Sequence, residues 1–81
     1  MDIGEEIEKS RVIIGDQIKT IVAAQKAMKE GLISVWDYEK SLTRPNIIID
    51  TQRSRLLRFG LKIDIKCTDW NGGFDLIVQA I

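Results

Sequence analysis

Histidine is absent from this sequence, cysteine and proline occur once each, and the aromatic residues are two tryptophans, one tyrosine and two phenylalanines. Without histidine there is no Ser-His-Asp or Cys-His catalytic arrangement, no imidazole ligand for a metal, and none of the usual proton shuttles near neutral pH. A lone Cys67 has no intrachain disulfide partner, and a structural zinc site needs about four Cys or His ligands. A single thiol fits a reducing compartment. Net charge is missing as well: 12 Lys and Arg balance 12 Asp and Glu, whereas dedicated nucleic-acid domains are usually strongly basic. No run of about 18 apolar residues exists, so no membrane association is expected. The opening Met1-Asp2, followed by Glu5, Glu6 and Glu8, is unlike the basic start of a secretory signal, and a cytoplasmic location is the expectation.

What is present is a chain of 81 residues, 44% hydrophobic, which suits one domain over 1–81. A domain of this size buries roughly 60–65% of the surface its unfolded chain exposes, so its core is marginal unless something supplements it. With disulfides and zinc unavailable to it, association with another chain is the supplement that remains. The character of the chain changes at Thr43-Arg44-Pro45, where Pro45 lacks an amide hydrogen and disfavours helix at Arg44. Residues 1–43 are therefore expected to be helical and 44–81 strand-rich. Charge divides at the same place, with 8 acids and 6 bases before residue 42 and 4 acids and 6 bases after residue 41.

Apolar residues recur from residue 3 to residue 28 at Ile3, Ile7, Ile14, Ile18, Ile21, Ala24 and Met28, which is the spacing of an amphipathic helix. Ile7, Ile14, Ile21 and Met28 hold a seven-residue step, but Ser10 and Gln17 fall where a second apolar row would complete a coiled coil. Gly15 followed by Asp16 predicts a kink or restart. Gly31 suits the left-handed position beyond a helix end, and Ser34 with Asp37 three residues later resembles a cap for a short helix over about Val35 to Leu42. Met28-Lys29-Glu30-Gly31-Leu32-Ile33-Ser34, followed by Tyr38-Glu39, resembles the short helical hairpin called the SHOCT motif, over about a quarter of the chain. That resemblance implies an oligomerisation or docking role.

In the second half, Leu61, Ile63, Ile65 and Cys67 alternate with Lys62, Asp64, Lys66 and Thr68, the period of a strand with one buried face. Cys67 is accordingly expected as a small core residue. Asn71-Gly72 is the pair favoured in a two-residue type I′ turn. A hairpin closed there sets Trp70 against Gly73, Asp69 against Phe74, Cys67 against Leu76, Ile65 against Val78 and Ile63 against Ala80, with the apolar residues of both strands on one side. The other side carries Lys62, Asp64, Lys66 and Thr68 with Asp75, Ile77, Gln79 and Ile81. Ile77 and Ile81 then need cover from another layer or from a second subunit. Asn46 to Asp50 reads as a short buried strand, and Asp50 or Thr51 as the cap of a helix through Phe59, ended by Gly60. The rival is a strand from Ile47 through Arg58, giving a three-stranded meander. In either case the fold class is α+β: a long and a short N-terminal helix packed on a small, mostly antiparallel sheet with a C-terminal β-hairpin.

Three functions compete. A non-catalytic, self-associating interaction or regulatory module would use Ile7, Ile14, Ile77 and Ile81 as the homo-oligomer interface and Trp70 as a partner contact; Trp36 reads as a core or interface anchor. A binding protein for a phosphorylated ligand such as a nucleotide, or for a nucleic-acid backbone, would use Arg44, Arg53, Arg55, Arg58, Lys62 and Lys66, because guanidinium groups fork onto phosphate; a solvated face is the plainer account of the same residues. A small metal-dependent enzyme would have to draw on Asp37, Glu39, Asp50, Asp64, Asp69 and Asp75, of which Asp69 and Asp75 cluster with Thr68 near one end of the hairpin. Asn71-Gly72-Gly73 lacks the Lys and Ser/Thr of a P-loop. The first reading is preferred, with no catalytic residues, no metal and no cofactor expected.

Overall fold

The computed structural model describes residues 2–81. Chain order is α1 (Ile3–Lys29), α2 (Val35–Ser41), α3 (Thr43–Leu57), β1 (Leu61–Cys67) and β2 (Phe74–Ala80). The class is α+β, with helices first and a two-stranded antiparallel sheet last. At about 1.5 Å per residue α1 is roughly 40 Å long, and it sets the long axis of a molecule measuring 45 × 21 × 18 Å.

Local chemistry fixes the ends of α1. The Asp2 carboxylate accepts a hydrogen bond from the Gly4 amide at 2.9 Å, and Glu5 and Glu6 in the first turn with Lys26 and Lys29 in the last complement the helix dipole. The helix runs through Gly15 and Asp16 without the expected restart. Gly15 has a packing role instead: a Cβ there would stand 3.2 Å from Cε1 of the Phe74 ring, so hydrogen at this position lets β2 lie close against α1. Beyond α1, Gly31 takes the positive φ expected of it, and the Ser34 hydroxyl accepts from the Asp37 amide at 3.0 Å to start α2.

Pro45 overturns two expectations. A helix does stop just before it, with α2 ending at Ser41, but α3 begins at Thr43, so Pro45 lies in the first turn of a new helix. An amide hydrogen has no intrahelical acceptor there, and proline is tolerated. Asn46 to Asp50 is thus helix, not strand, and helical structure extends to Leu57 instead of giving way at residue 44. The helix foreseen for residues 51–59 exists but starts eight residues earlier than Thr51, and the meander is excluded. Pro45, Ile49, Gln52 and Leu56, spaced by 4, 3 and 4, form the inward stripe of α3. Tertiary packing of this stripe overrides the strand preference of Ile47-Ile48-Ile49.

The hairpin has the foreseen faces but a different register. Leu61 pairs with Ala80, Ile63 with Val78, Ile65 with Leu76, and Cys67 with Phe74. Relative to the type I′ expectation every partner is displaced by two positions, which leaves each side chain on its original face. The two-residue turn fails because only Gly72 in it adopts positive φ, while no non-glycine residue among those described does. Instead the Asp69 carboxylate accepts from the Asn71 amide at 2.7 Å and the Gly73 amide at 2.9 Å, closing a longer loop. Asp69 therefore belongs to the loop and does not face Phe74.

The core lies where α1, α3 and the inner face of the hairpin meet. Ile14, Ile18, Leu56 and Ile63 are buried, ringed by half-buried neighbours including Ile7, Ile49, Phe74, Leu76 and Val78. Cys67 is exposed, contrary to its expected core position.

Candidate interaction site

The arginine-rich segment is split by the fold. Arg55 turns inward. It pairs with the Glu6 carboxylate, and its Nη2 donates to the Glu6 carbonyl at 2.8 Å and to Ser10 Oγ at 2.6 Å. Ser10 is completely buried and donates to Gln52 Oε1 at 3.0 Å, which also accepts from Arg55 Nε at 3.3 Å. The Arg55 guanidinium holds the Glu6 carboxyl below its ordinary value of 4.5. Arg53 Nη1 donates to the Ile63 carbonyl at 2.8 Å, tying α3 to β1. These two guanidinium groups are committed to joining α3 to α1 and to the sheet. Arg44 sits in the first turn of α3, roughly 16 Å along the axis from Arg55. Arg58 caps the other end, and Lys62 and Lys66 lie on the outer face of β1 opposite Gln79 and Asp75. Four exposed bases remain: Arg44 at one end of α3, Arg58 just past the other, and Lys62 and Lys66 on β1.

Trp70 stands at the loop, 79% exposed, with Lys29 Nζ 5.1 Å from its ring centroid. Between it and α1 is an open, mostly apolar groove of about 430 Å³ walled by Ile18, Ile21, Val22 and Cys67. Trp36, expected as an anchor, is 67% exposed on α2 with Lys40 Nζ 4.0 Å from its ring centroid, and no residue of α2 is buried.

The two edges of the sheet differ in what lies beside them. Thr68 N–H donates to the Gly73 carbonyl and Ile81 N–H to the Gly60 carbonyl, each at 2.9 Å. With the observed register these two bonds mark the hydrogen-bonded pairs, which then include Lys62 with Gln79, Asp64 with Ile77 and Lys66 with Asp75. The alternate residues turn their backbone groups outward. On β1 that edge lies beside α3, and Arg53 takes the Ile63 carbonyl. On β2 the outward groups are those of Phe74, Leu76, Val78 and Ala80, and no hydrogen bond meets them among the described residues. Ile77 and Ile81 are exposed on the outer face, so no layer of the monomer covers them.

No family model, curated protein or solved structure matches this chain. The likeness of the α1–α2 turn to the SHOCT hairpin therefore stands on turn chemistry alone.

Of the residues expected at an oligomer interface, Ile14 is completely buried within the monomer and has no surface to offer, while Ile7 is packed against the core; Ile77 and Ile81 remain free. Sequence reasoning did not find the Glu6, Ser10, Gln52 and Arg55 network. Its one signal is Ser10, a polar residue in the middle of the apolar stripe of α1. The bare β2 edge was equally hidden, because it depends on which side of the hairpin α3 covers. Among the described residues no group of three or more Cys, Asp or Glu side chains is placed to hold a metal ion, and no helix is long and apolar enough to cross a membrane.

Proposed function

We propose that this chain is a non-catalytic, self-associating interaction module acting in the cytoplasm. Its support is an imbalance of burial. Four large apolar side chains are buried, whereas ten, Ile77, Ile81, Trp36 and Trp70 among them, are exposed. So many exposed large apolar side chains beside so small a core suit a chain that buries further surface on association. A second copy supplies both cover and added sheet. The lone Cys67 accords with a reducing compartment, and the lack of histidine with a role in binding instead of acid-base chemistry.

Sedimentation velocity from low to high micromolar concentration tests the proposal. A concentration-dependent rise in mass to a defined oligomer is the expected result; a monomer throughout the range contradicts it.

A further inference from the structure

We infer that β2 pairs antiparallel with β2 of a second copy of this chain, the two-fold axis passing between the two Ile77 residues, to give a continuous four-stranded sheet. This rests on the self-association reading and specifies its geometry. Five observations select it.

The edge itself comes first. Among the described residues the outward N–H and C=O groups of Phe74, Leu76, Val78 and Ala80 form a row without partners, while the β1 edge lies beside α3 and its Ile63 carbonyl is taken by Arg53. Second, the strand carries none of the usual guards. From Phe74 to Ala80 it contains no proline, lysine or glycine, and Asp75 is its single charge; exposed edges of this composition recruit other strands.

Third, backbone geometry restricts the register. The groups free to bond across the new edge belong to even-numbered residues, so even must pair with even: Phe74 with the partner's Ala80, and Leu76 with the partner's Val78. A slip of one residue would direct bonds at groups already bound to β1 and turn the inner face of one subunit outward. Fourth, Ile77 is the midpoint of Phe74–Ala80, and centring there overlaps the whole strand. Fifth, this centre brings Asp75 opposite the partner's Gln79, an acceptor facing an amide donor, and sets the two Ile77 side chains side by side on the outer face. Moving the centre to Leu76 would oppose Asp75 to an isoleucine, and moving it to Asp75 would oppose two carboxylates, which is unfavourable.

Ile77 meets its mate as a non-hydrogen-bonded pair, for which Cα atoms lie about 4.5 Å apart, within the range a disulfide spans. On a Cys67→Ser background, Ile77→Cys should form a covalent dimer under mild oxidation. Gln79→Cys alone should not, because its partner is Asp75; Asp75→Cys mixed with Gln79→Cys should give the crosslinked heterodimer. Ile77→Lys, at an exposed site that costs the monomer little, should weaken association at least tenfold by setting two ammonium groups together, with the circular dichroism of the fold unchanged. A dimer in sedimentation that yields neither crosslink and tolerates Ile77→Lys would overturn the β2 pairing while leaving self-association standing. A monomer at every concentration, with no crosslink, would overturn both.

Discussion

Ser10 and Gln52 lie 42 residues apart in the chain and share a buried hydrogen bond of 3.0 Å that fastens α1 to α3. Arg55 donates to both of them and to Glu6, so four side chains on two helices form one polar joint beside an otherwise apolar contact.

Cutting this joint should cost stability. Ser10→Ala removes a buried donor and acceptor, leaving an Arg55 donor and one side of Gln52 less well paired, a change expected to cost about 1–3 kcal/mol. Urea denaturation of the variant measures it. A midpoint equal to that of the unaltered protein would mean that the joint is not formed.

Acid should weaken the same contact. The folded-state pKa of Glu6 is depressed, chiefly by its bond to Arg55, so its contribution is complete above the ordinary value of 4.5 and is lost as pH falls through the lower folded value. Asp69 behaves alike below its ordinary 3.8, because the Gly73 and Asn71 amides favour its charged form. Melting temperatures taken from pH 7 downward should be level above about pH 5 and fall beneath it. The drop should be smaller in Arg55→Met, which starts lower; an equal drop in both proteins would remove Glu6 as its source.

Gly15 tests the closeness of α1 to the hairpin. Alanine is favoured over glycine by about 1 kcal/mol within a helix, but its Cβ would press on the Phe74 ring at 3.2 Å. The two effects oppose each other, so Gly15→Ala should stay within about 1 kcal/mol of the unaltered protein. Gly15→Val has no such balance and should lose about 1–3 kcal/mol through overpacking. Thermal melts of the pair distinguish this from an open position, where both would be tolerated.

The loop depends on the Asp69 carboxylate as an acceptor whose charge strengthens the two bonds it takes from the Asn71 and Gly73 amides. Asp69→Asn keeps an oxygen for the Asn71 and Gly73 amides but loses the charge and should melt between the unaltered protein and Asp69→Ala, which should melt lowest and shift the fluorescence of the adjacent Trp70. Gly73→Ala should resemble Asp69→Ala, since its Cβ would collide with the Asp69 carboxylate. Identical melts for all three would show that the loop is held by other means.

Legibility in the sequence followed the range of the interactions. Helix α1, the Ser34 cap and the two hairpin faces were legible because each is written in spacing or in a neighbour a few residues away. The hairpin register was misread by two positions because the loop closes on the Asp69 side chain, which outweighs the preference carried by Asn71-Gly72. Helix α3 was misread at its start because its inward stripe includes Pro45 and Gln52, neither of which reads as apolar core, while the conspicuous Ile47 is exposed. For the candidate site, Ile77 could be marked as an apolar residue on a wet face, and Trp70 as exposed. The diversion of Arg53 and Arg55 into the fold could not be foreseen, since their partners are chosen by the packing of distant elements.

Amide hydrogen exchange along β2, followed at increasing protein concentration, tests the pairing of two chains most directly. The N–H groups of Ile77 and Gln79 point to β1 and should be protected at every concentration, while those of Leu76, Val78 and Ala80 should be unprotected in dilute protein and become protected as association proceeds. If Leu76, Val78 and Ala80 exchange freely at concentrations where the protein is assembled, β2 is not the joining edge.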